Sequence, residues 1–407
     1  MRCPSAAEPA RRDGLRQRLG AAARLAACIG VMLLVAFGSA SAQTVAATSI
    51  DQSTPARAAY LIDLSSGAVL LAKNAETPLP PASMSKLMVM DVVFEALQSG
   101  RLALSDEFRI SQRAASMGGS KMFIREGALV SVENLIRGVV VQSGNDAAVA
   151  LAEALSGTEE AFAAFMTKRA RDIGLTQTTL ANATGWPHPD HRMSVQDLAT
   201  LASRIVQRFP EYYPYYSERE FTWEGITQRN RNPLLGLGIG ADGLKTGHTE
   251  EAGYGLVASA MRGERRVVLV VAGLESEAQR KQEAERLINW AFRAFETRRL
   301  YRAGEPLLVA DVWVGAESVV PLAPARDVMV TRPFGVTENA VLSAQFTAPI
   351  EAPVAEGAEI GTLRVSAPGM ADVTVPLVAT RAVERGGFLA RMKAAGMLVV
   401  SRLLSGS

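Results

Sequence analysis

A chain of 407 residues, 48% hydrophobic and 21% charged, is longer than one ordinary core requires, so more than one folding unit is expected. Its formal net charge of +2 comes from the first 42 residues, which hold six Arg and two acids; the remainder is near minus 2, which excludes binding of nucleic acid by bulk charge. Both cysteines, Cys3 and Cys28, fall in that leader, so the rest of the chain has neither disulfide nor thiol nucleophile.

The leader runs from a basic stretch through the apolar Leu25–Phe37 to Gly38-Ser39-Ala40-Ser41-Ala42. This order reads as a secretory signal peptide over 1–42, cleaved before Gln43. Its apolar run is well short of the roughly 20 residues that span a bilayer as a helix. Leu25-Ala26-Ala27-Cys28 precedes the apolar run instead of ending it, which is the wrong place for a lipoprotein cleavage box.

From Ala58 to Asn74 two apolar runs flank Ser65-Ser66-Gly67, a hairpin pattern. Pro78, Pro80 and Pro81 break the strand ahead of Ser83, and Leu87, Met88, Val92, Val93 and Leu97 then recur at helical spacing, placing Ser83 at the mouth of a helix. A second helix is expected over Val132–Val141. It ends at Ser143-Gly144-Asn145, after which Asp146–Leu155 resumes as an Ala-rich helix. Around Lys245 and beyond, two apolar runs joined by Arg262-Gly263-Glu264-Arg265 read as adjacent antiparallel strands, and Glu283–Thr297 as a closing helix. The fold class is therefore α+β, helices packed on an antiparallel sheet, over residues 43–300. Val-rich runs broken by Pro and Gly over 301–384 give a small all-β domain. The stretch 385–407 returns to helical spacing, with Phe388, Leu389, Met392, Val399, Val400, Leu403 and Leu404 on one side and Arg391 and Arg402 opposite. From Arg381 onward there are five basic residues and one acid, which suits a helix lying on an anionic membrane surface; docking on the protein's own core is the alternative.

Three short words carry the chemistry: Ser83-Met84-Ser85-Lys86, Ser143-Gly144-Asn145 and Lys245-Thr246-Gly247, spaced by 60 and 102 residues. A serine hydroxyl needs a base within hydrogen-bond reach, and Lys86, three residues on, shares its face of the first helical turn. Lys86 serves as that base once desolvation or a neighbouring cation such as Lys245 lowers its pKa. Ser143 is the natural proton relay to the leaving group, and Asn145 can hold both Lys86 and a substrate carbonyl. Lys245 and Thr246 on a strand edge can take a carboxylate, while Gly247 permits close approach. No cofactor and no metal is called for. His188 and His191 are three apart but have Pro189 between them and only His248 as a third imidazole, so they read as loop surface. Met84, Met88 and Met90 read as core filling.

The longer strings Pro81-Ala82-Ser83-Met84-Ser85-Lys86-Leu87-Met88, Ser143-Gly144-Asn145-Asp146-Ala147-Ala148 and Leu244-Lys245-Thr246-Gly247-His248-Thr249, with Ala252-Gly253-Tyr254, resemble the low-molecular-mass penicillin-binding proteins of the D-alanyl-D-alanine carboxypeptidase type. The resemblance runs from about Ala58 to the end of the chain. It implies a penicillin-binding, β-lactamase-like transpeptidase domain followed by the β domain and the amphipathic helix, on the outer (periplasmic) face of the inner membrane. It implies that Ser83 is acylated by the penultimate D-Ala of peptidoglycan stem pentapeptides and, as substrate mimics, by β-lactams. The backbone N–H groups of Ser83 and His248 would hold the oxyanion, and Arg280 would help hold the terminal carboxylate. Ser85 stands where the family often has Thr, and Arg192 where it has an aromatic residue or His.

Other readings use the same words. A β-lactamase needs a deacylating base, and Leu175–Ser194 contains no glutamate, so slow release of β-lactams is expected. An endopeptidase acting on peptidoglycan cross-links attacks the same kind of bond. A non-catalytic penicillin-binding module for cell shape would have lost Lys86, Ser143 or Lys245, all of which are present.

Overall fold

The computed structural model describes residues 54–388 and 392. The leader and nearly all of the amphipathic stretch after Phe388 lie outside the described residues. Among the described residues, no helix is long and apolar enough to cross a membrane.

Strands β1 (Ala58–Asp63) and β2 (Ala68–Lys73) form the expected hairpin. Asp63 Oδ1 accepts the Ser65 N–H at 3.0 Å to fold the turn, and Gly67 supplies its left-handed residue at φ 82°. Two short ribbons follow, β3 (Glu107–Arg109) with β4 (Leu129–Ser131) and β5 (Glu220–Trp223) with β6 (Ile226–Arg229). Strands β7 (Ala241–Thr249), β8 (Gly253–Arg262) and β9 (Arg265–Leu274) then join the hairpin in an antiparallel sheet of order β2-β1-β9-β8-β7, with β7 at the edge.

Among the described residues, seven α-helices accompany this sheet: α1 (Lys86–Gln98), α2 (Gln112–Ser116), α3 (Val132–Val141), α4 (Asn145–Ser156), α5 (Glu159–Asp172), α6 (Val195–Arg208) and α7 (Glu277–Ala294). The two-residue period of β9 distributes its side chains between two cores. Val268, Val270 and Ala272 pack into the larger core with α1 and α3–α6, whereas Val267, Leu269 and Val271 meet Ala284, Leu287, Ile288 and Ala291 of α7. Helix starts follow capping chemistry: Ser131 Oγ accepts the Asn134 N–H at 3.3 Å, and Ser194 Oγ that of Asp197 at 3.0 Å. Met84, Met88 and Met90 are buried core residues.

The closing helix departs from the sequence reading: it begins earlier, at Glu277, and stops at Ala294 instead of Thr297. Phe295 starts strand β10 (Phe295–Tyr301), which pairs with β13 (Val328–Pro333). The helical period carried past Ala294 because it cannot register a partner strand distant in sequence. Strands β11 (Leu308–Trp313), β12 (Val319–Pro324), β14 (Val341–Phe346), β15 (Ile350–Glu351), β16 (Glu359–Ser366) and β17 (Val373–Ala379) make a second sheet of order β14-β16-β17-β12-β11-β15. A buried polar cluster ties this β region to the five-stranded sheet. Asp63, fully buried, accepts from Arg265 Nε at 2.7 Å, Thr297 Oγ1 at 2.8 Å and Thr331 Oγ1 at 3.1 Å.

Candidate active site

Ser83 lies in a 3-10 turn, Ala82–Ser85, that runs directly into α1. Lys86 is the first residue of the helix, fully buried, and its Nζ donates to Ser83 Oγ at 2.9 Å, Asn145 Oδ1 at 2.8 Å and the Thr184 carbonyl at 2.5 Å. Three acceptors match the three N–H bonds of an ammonium; a neutral amine has one fewer hydrogen and a lone pair to turn toward the Ser83 hydroxyl. Burial pushes the Lys86 pKa down to about 7, against the opposing pull of the Asp146 and Glu159 carboxylates. Near neutral pH a substantial fraction of Lys86 is therefore unprotonated.

Of the two causes the sequence offered for Lys86, desolvation is the larger. Lys245 is likewise held well below its ordinary value by burial and then by Lys86, Arg280 and Arg231. Its Nζ donates to Ser143 Oγ at 2.8 Å and to the Thr246 carbonyl at 3.1 Å. The amine thus faces Ser143 from within the protein. Ser143 occupies the tight link between α3 and α4 at φ 61°, a left-handed conformation costly for a residue with a β carbon.

Glycines permit this convergence. A β carbon at Gly247 would lie 2.7 Å from the Pro81 carbonyl oxygen and 3.0 Å from Met84 Cγ, so only glycine lets β7 press against the Ser83 turn. On the other side, a β carbon at Gly185 would lie 2.1 Å from the Ala82 oxygen, and Gly185 also has φ 81°. Asn182 shapes that loop, its Oδ1 accepting from Thr184 Oγ1 at 3.0 Å and the Gly185 N–H at 2.7 Å. The Thr184 carbonyl is thereby presented to Lys86.

Asn145 uses its Oδ1 for Lys86, as expected, but its Nδ2 already donates to the Gly118 carbonyl at 2.7 Å, leaving one amide hydrogen for a substrate. Its neighbour Asp146, fully buried, accepts from the N–H groups of Met122 at 3.0 Å, Phe123 at 2.9 Å, Ile124 at 3.3 Å and Ala147 at 2.9 Å. This carboxylate fixes the 122–124 segment, while Asn145 holds Gly118 and Ser120 just before it. Thr246 is buried, while His248 is exposed and stacks on Tyr254, ring centroids 3.9 Å apart. Arg280 sits behind that pair, its guanidinium 5.6 Å from the Tyr254 ring centre, and donates to Glu277 Oε1 at 2.9 Å; its Nε has no partner among the described residues.

The sequence reading missed Thr184, Asn182, Asp146 and Glu159. A main-chain acceptor such as the Thr184 carbonyl carries no residue-type mark, although Asn182-Ala183-Thr184-Gly185 has the composition of a turn. His191 was misjudged as surface: it is 2% exposed, its Nδ1 accepts the Ala181 N–H at 3.0 Å, and burial followed by the Lys86 charge lowers its pKa to about 3. Glu159 is close enough to Lys86 for its charge to be felt. Its oxygens are taken by the Ala183 N–H at 3.0 Å and Arg113 at 2.7 Å, so it is not free to act as a base.

A serine bonded to a buried lysine of lowered pKa, facing a second serine–lysine pair across a strand edge, is the chemistry of the active-serine, penicillin-recognising acyltransferases and hydrolases. Comparison with known proteins narrows the class. Residues 42–276 match the family model described as D-alanyl-D-alanine carboxypeptidase, and residues 295–385 match the C-terminal domain of penicillin-binding protein 5. The chain is 38% identical over 361 residues to D-alanyl-D-alanine carboxypeptidase DacC of Escherichia coli (strain K12), covering 87% of this chain and 89% of that one. Penicillin binding protein 5 from Haemophilus influenzae superposes with a TM-score of 0.75 at 36% identity, covering 82% of this chain and 100% of that one. The ampicillin-bound penicillin-binding protein D2 of Listeria monocytogenes superposes with a TM-score of 0.54 at 30% identity, covering 58% of this chain and 97% of that one. The chain belongs to the D-alanyl-D-alanine carboxypeptidase family and is a serine hydrolase of that type.

Proposed function

We propose that Ser83 is the nucleophile that removes the terminal D-Ala from peptidoglycan stem pentapeptides, with Lys86 as its base. The observation that carries this reading is the 2.9 Å contact between Ser83 Oγ and a buried amine whose pKa is about 7. Neutral Lys86 takes the hydroxyl proton as Ser83 Oγ bonds to the penultimate D-Ala carbonyl carbon. The oxyanion rests on the backbone N–H groups of Ser83 and His248. Ser143, bonded to Lys245, passes a proton to the departing nitrogen as the C–N bond breaks. Asn145 holds the acyl carbonyl side of the substrate, and Thr246 with Gly247 lines the strand edge along which the peptide lies. Lys245 and Arg280 supply the positive field that the terminal carboxylate needs. Water then attacks the ester, regenerating Ser83 and releasing the shortened peptide.

β-Lactams acylate the same oxygen, and with Glu159 fully bonded the ester turns over slowly. Incubation with benzylpenicillin should add one penicilloyl mass to the intact protein, mapped to the peptide holding Ser83 and persisting for many minutes. A protein that stays unmodified, or that hydrolyses nitrocefin rapidly, contradicts the assignment.

We further read 1–42 as an export signal, 43–300 as the catalytic domain, 301–384 as the β domain and 385–407 as a helix lying on the periplasmic face of the inner membrane. Phe388 and Met392 are 76% and 59% exposed, which supports an apolar face available to lipid. Removing residues 385–407 should shift the protein from the membrane to the soluble fraction without changing kcat on a small peptide. Unchanged partition would rule the anchor out.

A further inference from the structure

Beside the Lys245 strand lies a cleft of about 420 Å³ lined by Gln228, Arg229, Asn230, Arg231, Pro233 and Glu277. Release of a lone D-alanine gives it no role. Its lining residues adjoin the site at three points. The Arg231 N–H donates to the Val141 carbonyl at 3.3 Å, two residues ahead of Ser143. The Arg231 charge reaches Lys245. Glu277, on the opposite lip, holds Arg280 at 2.9 Å. The cleft thus begins where the cations proposed to bind the terminal carboxylate end.

Its chemistry is one-sided. Arg229 and Arg231 are exposed, and neither guanidinium has a hydrogen bond or ion pair among the described residues. Glu220 lies opposite Arg229 in the β5–β6 register without pairing to it. Gln228 spends an amide hydrogen on the Lys121 carbonyl at 3.0 Å, and Glu277 is committed to Arg280. Two unpaired guanidinium forks lining an open cleft are suited to carboxylate recognition.

We propose that this cleft receives the leaving-group side of substrates larger than a terminal D-alanine and favours amines that carry a second, distal carboxylate beyond the α-carboxylate. The proposal rests on the assignment of Lys245, Thr246 and Arg280 to the α-carboxylate. The reaction is unchanged: the Ser83 Oγ–C bond forms, the C–N bond breaks, the amine leaves with its proton, and water later cleaves the ester to a carboxylate. Only the substituent on the departing amine differs. Cleavage at a peptide cross-link, which releases an amine with a chain attached, would need this space.

The test uses the full-length enzyme and three peptides, N-acyl-Lys-D-Ala-X, in which X is D-alanine, D-2-aminoadipate or D-norleucine, the last matching aminoadipate in length without the distal carboxylate. Wild-type kcat/KM should be about fivefold higher for aminoadipate than for norleucine, the effect of one partly exposed ion pair. Arg229→Ala should lower that ratio toward one, with Arg231 holding any remainder, and Arg229→Glu should bring it below one, both with D-alanine release unchanged. A wild-type ratio of one, or a preference that survives Arg229→Glu, overturns the cleft assignment. Failure to release even D-alanine overturns the Ser83 reading on which it rests.

Discussion

Lys86→Met is expected to slow acylation of Ser83 by about 10³- to 10⁴-fold at pH 7, the upper range for loss of a positioned general base. Methionine keeps an unbranched apolar chain in a buried position but offers no lone pair to the hydroxyl at 2.9 Å. The wild-type pH profile carries the companion result. The reactive form of Lys86 is the neutral one, so kcat/KM should rise about tenfold per pH unit below the lysine pKa of about 7 and flatten above it. Stopped-flow acylation by a chromogenic β-lactam between pH 5 and 9 reads both. A profile that is flat across neutrality, or a Lys86→Met enzyme acylated at the wild-type rate, removes Lys86 from the base role.

Asp146→Asn should have the second large effect, on stability and on that same pH profile. The carboxylate accepts four backbone N–H groups in a fully buried position, and an amide must turn one of its own donors toward them. Leaving buried donors unpaired in place of a charged acceptor is expected to cost about 3–5 kcal/mol, read as a lower denaturant midpoint at an unchanged m-value. Asp146 is also the largest influence raising the Lys86 pKa, so its neutralisation should move the acylation profile to lower pH. Stability equal to wild type would mean that the 122–124 segment is held by other contacts. A profile shifted upward would contradict the electrostatic assignment.

The parts of this architecture that were legible in the sequence are those written in residue type and period. The apolar runs of β8 and β9, the helical recurrence after Ser83 and the three short words each lie within a short window, and each falls in the element expected for it. What was not legible depends on contacts between distant segments. The strand at Phe295–Tyr301 exists because β13 lies beside it, and Thr297 reaches Asp63 across 234 residues of sequence. The third acceptor of Lys86 is a main-chain oxygen, brought there by Asn182 and by a glycine packed on Ala82. His191 looked like a polar loop residue beside His188, but the Thr179–Arg192 and Leu79–Met193 bridges that immediately follow it draw it inward. The Lys86 shift was expected from desolvation or a neighbouring cation, but which of the two leads was not legible, since the number of atoms that will cover an amine cannot be counted from a linear spacing.

The central claim is that Ser83 carries the acyl group, and the most direct measurement is release of free D-alanine from a peptide ending in D-Ala-D-Ala by wild-type enzyme, the Ser83→Ala variant and enzyme pretreated with penicillin. Release by the wild type alone is the predicted result. Undiminished release by Ser83→Ala would contradict the account.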